Sequence, residues 1–212
     1  MAQETTAQER TVRYGVDGGK LAEFVDYARE NPDDVQFELR ADGYWEGRAF
    51  HTLSKVGPYS LGGRTIDRET RDYTFPFGAH KEVEAALGFV DPDDRPEVIE
   101  TALAALSGCL NHVISLHLVS EGLDVETLET RVRIPWSPFV ALDIEDADAE
   151  DGRLRDQYGD LEIEISVGGE NVSDETLERV RLAARRSAVY NLIALPHPAE
   201  PTVEGADPDA TA

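Results

Sequence analysis

The single cysteine, Cys109, is the clearest candidate for chemistry in this 212-residue chain. It lies in Ala105-Leu106-Ser107-Gly108-Cys109-Leu110. The thiolate, not the thiol, is the nucleophile, so reactivity requires a neighbour that lowers the pKa. Without one, a Cys in an apolar helix is a small, inert hydrophobe. Gly108 lets another group approach closely, and Ser107 and Asn111 make this stretch more polar than its flanks. His112 stands three residues on, on nearly the same helical face, a rotation of roughly 60°. His112 and His117 are five apart, a poor spacing for two ligands on one face, so metal chemistry is not expected and both read as core or interface histidines. There is no GxGxxG, P-loop or GxSxG pattern. The acidic run 143–151 lacks a calcium-loop pattern and reads as a solvated loop.

Cys109 must be positioned by the most apolar element. Over residues 95–121, apolar side chains cover most of a helical circumference, which predicts a helix buried on most sides. Asp94 is expected to cap it, Pro96 to sit in its first turn and Gly122 to end it. Ahead of it, residues 18–31 have helical spacing closed by Asn31-Pro32. Val35, Phe37 and Leu39 then alternate with polar residues and begin a hairpin. Its turn falls either at Ala41-Asp42-Gly43 or at Glu46-Gly47, with Tyr44-Trp45 still on the first strand in the second case. Leu61-Gly62-Gly63-Arg64 is a second turn. Residues 70–77 form a strand that Pro76 confines to an edge or an end, and 81–87 a short helix. After the long helix come strands over 127–134 and 160–167, then a helix from 174 to about 186 capped by Ser173, and a short strand near 201–204. Helices following antiparallel strands indicate an α+β fold. Residues 13–204 read as one domain with an acidic insertion at 135–158, between frayed tails at 1–12 and 205–212.

Composition sets the surroundings. The chain carries 43 acidic and 20 basic residues, a formal net charge of -23. Only Lys20, Lys55 and Lys81 are lysines; the remaining basic residues are arginine. Such a surface repels phosphate backbones and anionic lipid, so neither nucleic acid nor a membrane is expected as a partner. It suits concentrated salt, where screening removes self-repulsion, and so reads as halophilic. A single cysteine permits no disulfide framework, and the first residues lack a signal-peptide pattern, so a soluble cytoplasmic protein is expected.

Three segments, taken in order, resemble the OsmC-like family, which includes osmotically induced and organic hydroperoxide resistance proteins. Glu100-Thr101-Ala102-Leu103-Ala104-Ala105-Leu106-Ser107-Gly108-Cys109-Leu110 is similar to its central-helix signature. Gly122-Leu123-Asp124-Val125 is similar to the stretch after that helix. Arg186-Ser187-Ala188-Val189-Tyr190-Asn191-Leu192 resembles the segment where the family has Cys-Pro-Val or Ser-Pro-Val. The resemblance covers roughly residues 35–204 and implies an intertwined homodimer, with antiparallel sheets wrapped around long central helices. It implies a cofactor-free peroxidase in which a Cys, an Arg and a Glu reduce hydroperoxides. Cys109 matches the Cys. Arg48 best matches the Arg, with Arg64 and Arg71 as rivals, and Glu100 or Glu97 the Glu. His112 and Ser187 are expected at the substrate. Ser187 stands where the family has a second Cys, so turnover requires an external thiol reductant or the Cys109 of a second copy. The alternative is a non-catalytic dimer of the same fold that binds a small hydrophobic ligand.

Overall fold

A computed structural model describes residues 12–138, 142, 158–199 and 201–205. Strands β1 (Val12–Arg13) and β2 (Val16–Asp17) form a minimal hairpin. The Asp17 carboxylate accepts from the N–H groups of Gly19 and Lys20 and caps helix α1 (Gly18–Glu30). The first strand expected after it is only β3 (Phe37–Glu38), which pairs with β6 (Tyr59–Leu61). β6 also pairs with β7 (Arg64–Ile66) through the predicted Gly62-Gly63 turn. Gly62 has φ 55°, and a Cβ there would stand 2.9 Å from the Asp34 carbonyl oxygen, so glycine is required.

A second sheet has the order β4 (Asp42–Trp45), β5 (Thr52–Val56), β8 (Tyr73–Phe77), all antiparallel. Its hairpin turn is the later of the two predicted, and β8, with Pro76, is at the edge. Directly opposed residues share a face. The register Trp45–Thr52–Phe77, Gly43–Ser54–Phe75 and Val56–Tyr73 therefore gathers four aromatics on one face. Trp45, Tyr73 and Phe75 are 71%, 49% and 41% exposed.

Helix α2 (Lys81–Ala86) leads to helix α3 (Val98–Glu121). The expected Asp94 cap is corrected: the N-cap is Glu97, whose carboxylate accepts from Ile99 and Glu100 N–H at 2.6 and 3.0 Å. The chain before it stays extended because Arg95 and Pro96 bond to Gly78 and Ala79. Asp94 instead accepts from the first N–H of α2. Gly122, at φ 68°, ends α3 as expected.

The expectation that α3 is buried on most sides is also corrected for the single chain. Leu106, Leu110, Ile114 and Leu118 form one buried stripe, joined by Val119. Ile114 and Leu118 pack against α4 (Asp174–Ala184) and the hairpin of β9 (Thr127–Arg133) and β10 (Glu162–Gly168). Ala102, Ala104, Ala105 and Leu116 are exposed. Composition showed how apolar the helix is, but not how much of it one chain can cover. By length and composition α3 could also cross a membrane, a test that core helices pass too.

The β9–β10 hairpin alternates strictly, with Leu128, Val132, Ile163 and Ile165 on the inner face. Arg131–Glu164 and Arg133–Glu162 are cross-strand ion pairs on the outer face. Ser173 and Thr176 form a capping box for α4. Helix α5 (Ala188–Ala194) follows, a turn the sequence did not signal, and residues 201–204 form no strand. Most of the 135–158 insertion and both tails lie outside the described residues. At the base of the insertion Trp136 pairs with Tyr158. The result is mixed helix and antiparallel sheet, as expected.

Candidate functional site

Cys109 is partly buried on α3, facing the start of α5. Burial pushes the thiol pKa up. The Ser187 hydroxyl and the backbone N–H groups of Val189 and Ala188 pull it down, and the net is below the ordinary 9.0. Ser187 is fully buried and is the N-cap of α5, its Oγ accepting from Tyr190 N–H at 3.2 Å. Cys109 and Ser187 are thus brought together across 78 positions of sequence. No cation is among the groups that shift the thiol. Arg186, beside Ser187, donates to His117 Nε2 at 2.9 Å. His117 Nδ1 in turn donates to the Val113 carbonyl at 3.0 Å. His112 is exposed on α3 and is not among the groups that shift the thiol.

Arg48 belongs to a different constellation, in the turn between β4 and β5. Its Nη2 donates to Glu84 Oε2 at 3.1 Å and to the Asp91 carbonyl at 3.0 Å. Its guanidinium lies 5.2 Å from the centre of the Phe89 ring. Glu84, on α2, has no exposed surface. Its other oxygen is 2.7 Å from His51 Nε2, and Asp93 N–H donates to Oε2 at 3.0 Å. The Asp93 N–H, then His51 and Arg48, hold its carboxyl below the ordinary value against the opposing effect of burial. Beside this cluster Arg95 Nη1 donates to Glu46 at 2.5 Å, and its Nε to Asp93 at 3.3 Å. Arg48, His51 and Arg95, with Glu46, Asp91, Pro92 and Asp93, line an open cleft of about 400 Å³. Six of these seven residues are ionisable, so the cleft does not suit a purely apolar ligand.

Within one chain the expected Arg48–Glu100 pair is not brought together. Glu100 is exposed and lies 3.4 Å from His80, while Glu97 is spent as the α3 cap. The carboxylate at Arg48 is Glu84, which sequence reasoning missed. Its signal was a single Glu inside the otherwise apolar Val83-Glu84-Ala85-Ala86-Leu87. Arg64 is exposed on β7. Arg71 lies over Tyr59 at 4.7 Å, and its Nε donates to the Gly57 carbonyl at 3.4 Å.

No protein-family model and no curated protein matches the sequence. Among solved structures, the chain is similar to the crystal structure of an OsmC-like protein from Mycoplasma pneumoniae. The two are 12% identical at a TM-score of 0.48, over 76% of this chain and 89% of that one.

Proposed function

We infer that the protein is an OsmC-like, thiol-dependent peroxidase that uses Cys109 to reduce hydroperoxides. The observation that carries this reading is the placement of Cys109 against the Ser187 hydroxyl and the Ala188 and Val189 N–H groups, which favour the thiolate although burial opposes it. The hydroperoxide class comes from the sequence resemblance. The thiolate attacks the terminal peroxide oxygen, the O–O bond breaks, and the alkoxide takes a proton. Cys109 becomes a sulfenic acid and the substrate an alcohol. With Ser187 in place of a second Cys, an external thiol condenses with the sulfenic acid and releases water. A second external thiol then frees Cys109 as an external disulfide forms.

The working unit in this reading is a homodimer. Exposed contiguous apolar surface marks interfaces. The aromatic face of the β4–β5–β8 sheet and the uncovered side of α3 are two such surfaces. Arg48 does not act on the thiol within one chain, so a role at the thiolate requires the second copy to bring it there. The same surfaces favour the second reading, a dimer that holds a hydrophobic ligand and leaves Cys109 idle.

Alkylation of Cys109 in the folded protein, in high salt and across pH, separates the two. Reaction at neutral pH is expected, lost after about one equivalent of cumene hydroperoxide, with a trappable sulfenic acid. Ser187→Ala should move the alkylation profile to higher pH, because the hydroxyl favours the thiolate. A thiol silent until the protein unfolds leaves only the ligand-binding reading.

A further inference from the structure

The Arg48–Glu84 contact has an unusual form. Arginine and carboxylate ordinarily close a fork of two parallel N–H···O bonds. Here Glu84 meets Arg48 through Oε2 and Nη2 alone. Arg48 Nε is buried without a hydrogen-bond partner, an arrangement that costs free energy. The oxygen that could pair with it, Oε1, is occupied by His51 Nε2 at 2.7 Å. Ionised Glu84 is an acceptor only, so the imidazole supplies the proton of this bond.

His51 is itself well fixed. It is 4% exposed, and its ring stacks on Phe89, 6.4 Å between centres at 25°. Its backbone N–H donates to the Arg48 carbonyl at 3.1 Å. Phe89, under both His51 and Arg48, ties the two side chains to one support. Arg48 Nη1 is left without a partner among the described residues, on a side chain that lines the cleft.

We propose that His51 is a positioning residue: by holding Glu84 Oε1 it stops Arg48 from closing a fork on Glu84, so that the guanidinium is held through Nη2 alone, with Nη1 unengaged on a side chain that lines the cleft. Its consequence for the reaction rests on the reading of Arg48 as the cation that serves the Cys109 thiolate.

Two readouts test it, one independent of catalysis. The Nε–H resonance of Arg48 reports the fork directly. In His51→Ala the freed Oε1 should accept this proton, which then shifts downfield and exchanges more slowly with water. Cys109 oxidation by hydroperoxide reports the consequence. His51→Ala should slow it about tenfold at pH 7, the worth of one charge-assisted hydrogen bond, and move its pH profile upward. His51→Gln retains a side-chain N–H donor and should stay within about threefold of the wild type. If His51→Ala does not fold, His51→Phe keeps the ring stack and lacks the donor. An unchanged Arg48 Nε–H in the donor-less variant overturns the proposal. So does wild-type oxidation by that variant when Arg48→Ala is slow. If Arg48→Ala also reacts at the wild-type rate, the reading of Arg48 itself is wrong, and the role of His51 in the reaction goes with it.

Discussion

The two halves of the molecule are held in opposite ways. In the half built from α3, β9, β10, α4 and α5, the buried side chains are mainly apolar: Leu106, Leu110, Ile114, Leu118, Val119, Val180 and Ala183. In the half built from β3 to α2, the buried residues described are Gly78, Ala79, His51 and Glu84. Most of its aromatics are exposed, and an ion cluster sits where a core would be. The candidate site residues are divided between the two halves. The helical half has the thiol, with a hydroxyl and two backbone N–H groups that favour its charged form. The hairpin half has Arg48 beside a buried acid–base pair, Glu84 and His51. A thiolate chemistry that needs both must bring them together, and one chain alone does not.

The largest test of this contrast is mechanical. Ile114→Ala should destabilise the helical half by about 2–5 kcal/mol in urea unfolding, the usual cost of emptying a buried aliphatic site. Phe75→Ser, on the exposed aromatic face, should cost less than about 0.5 kcal/mol if that face is free, as surface substitutions do. A large, concentration-dependent loss for Phe75→Ser breaks the contrast. It would mean that the hairpin half has an apolar core after all, supplied by a second copy.

A smaller effect separates the halves by pH. Glu84 titrates below its ordinary 4.5 in the folded chain, chiefly through the Asp93 N–H and with help from His51 and Arg48. Its charged form therefore contributes stability that is complete above about pH 4.5 and is lost as pH falls through the folded value. The core of the helical half has no such dependence. Hydrogen-exchange protection at the amides of His51 and Asp93 should fall on acidification before that of Ile114 and Leu118. Glu84→Gln should abolish the difference. Simultaneous loss in both halves would show that the cluster does not organise the hairpin half.

What the sequence made legible follows the same divide. Periodicity reports burial against neighbouring elements, so α1, α3, α4, β9 and β10 stand close to where apolar spacing put them. Gly122 and Ser173 ended and capped helices because their conformation and side chain act locally. Asp94 failed as a cap because Arg95 and Pro96 are drawn into a pairing with Gly78 and Ala79, which no local rule contains. Helix α5 is about two turns long, between Ser187 and Pro196, too brief for a period to show. The candidate site was half legible for the same reason. Cys109 carries its own signal, a lone thiol, whereas Ser187 entered only through the resemblance to the OsmC-like segment. The Arg48–Glu84–His51 cluster joins positions up to 36 apart through ionic contacts that have no period. Arg48 entered through the resemblance, and a Glu inside an apolar run was the signal for its partner.

The smallest expected effect is the most discriminating. Glu100 and Glu84 are both carboxylates at helical positions, and the family signature favours the first. Glu100 is exposed, paired only with an exposed His80 at 3.4 Å, and one turn into a helix whose cap is already supplied by Glu97. Removing its charge forfeits at most a weak favourable interaction with the helix dipole, about 0.3–1 kcal/mol at low ionic strength and less in concentrated salt. Glu100→Gln should therefore leave both the thermal midpoint in high salt and the rate of Cys109 oxidation close to those of the wild type. Glu84→Gln removes the charge that Arg48 and Asp93 N–H address, and should lower both. The order of the two variants decides which carboxylate belongs to the site. If Glu100→Gln is the slower enzyme while its stability is unchanged, Glu100 must reach Arg48 in an assembly that one chain does not display. The hairpin cluster would then be a scaffold and not part of the chemistry. If Glu84→Gln is slower, the carboxylate that matters entered from α2, twenty-five residues before the thiol, and the central helix contributes only the sulfur.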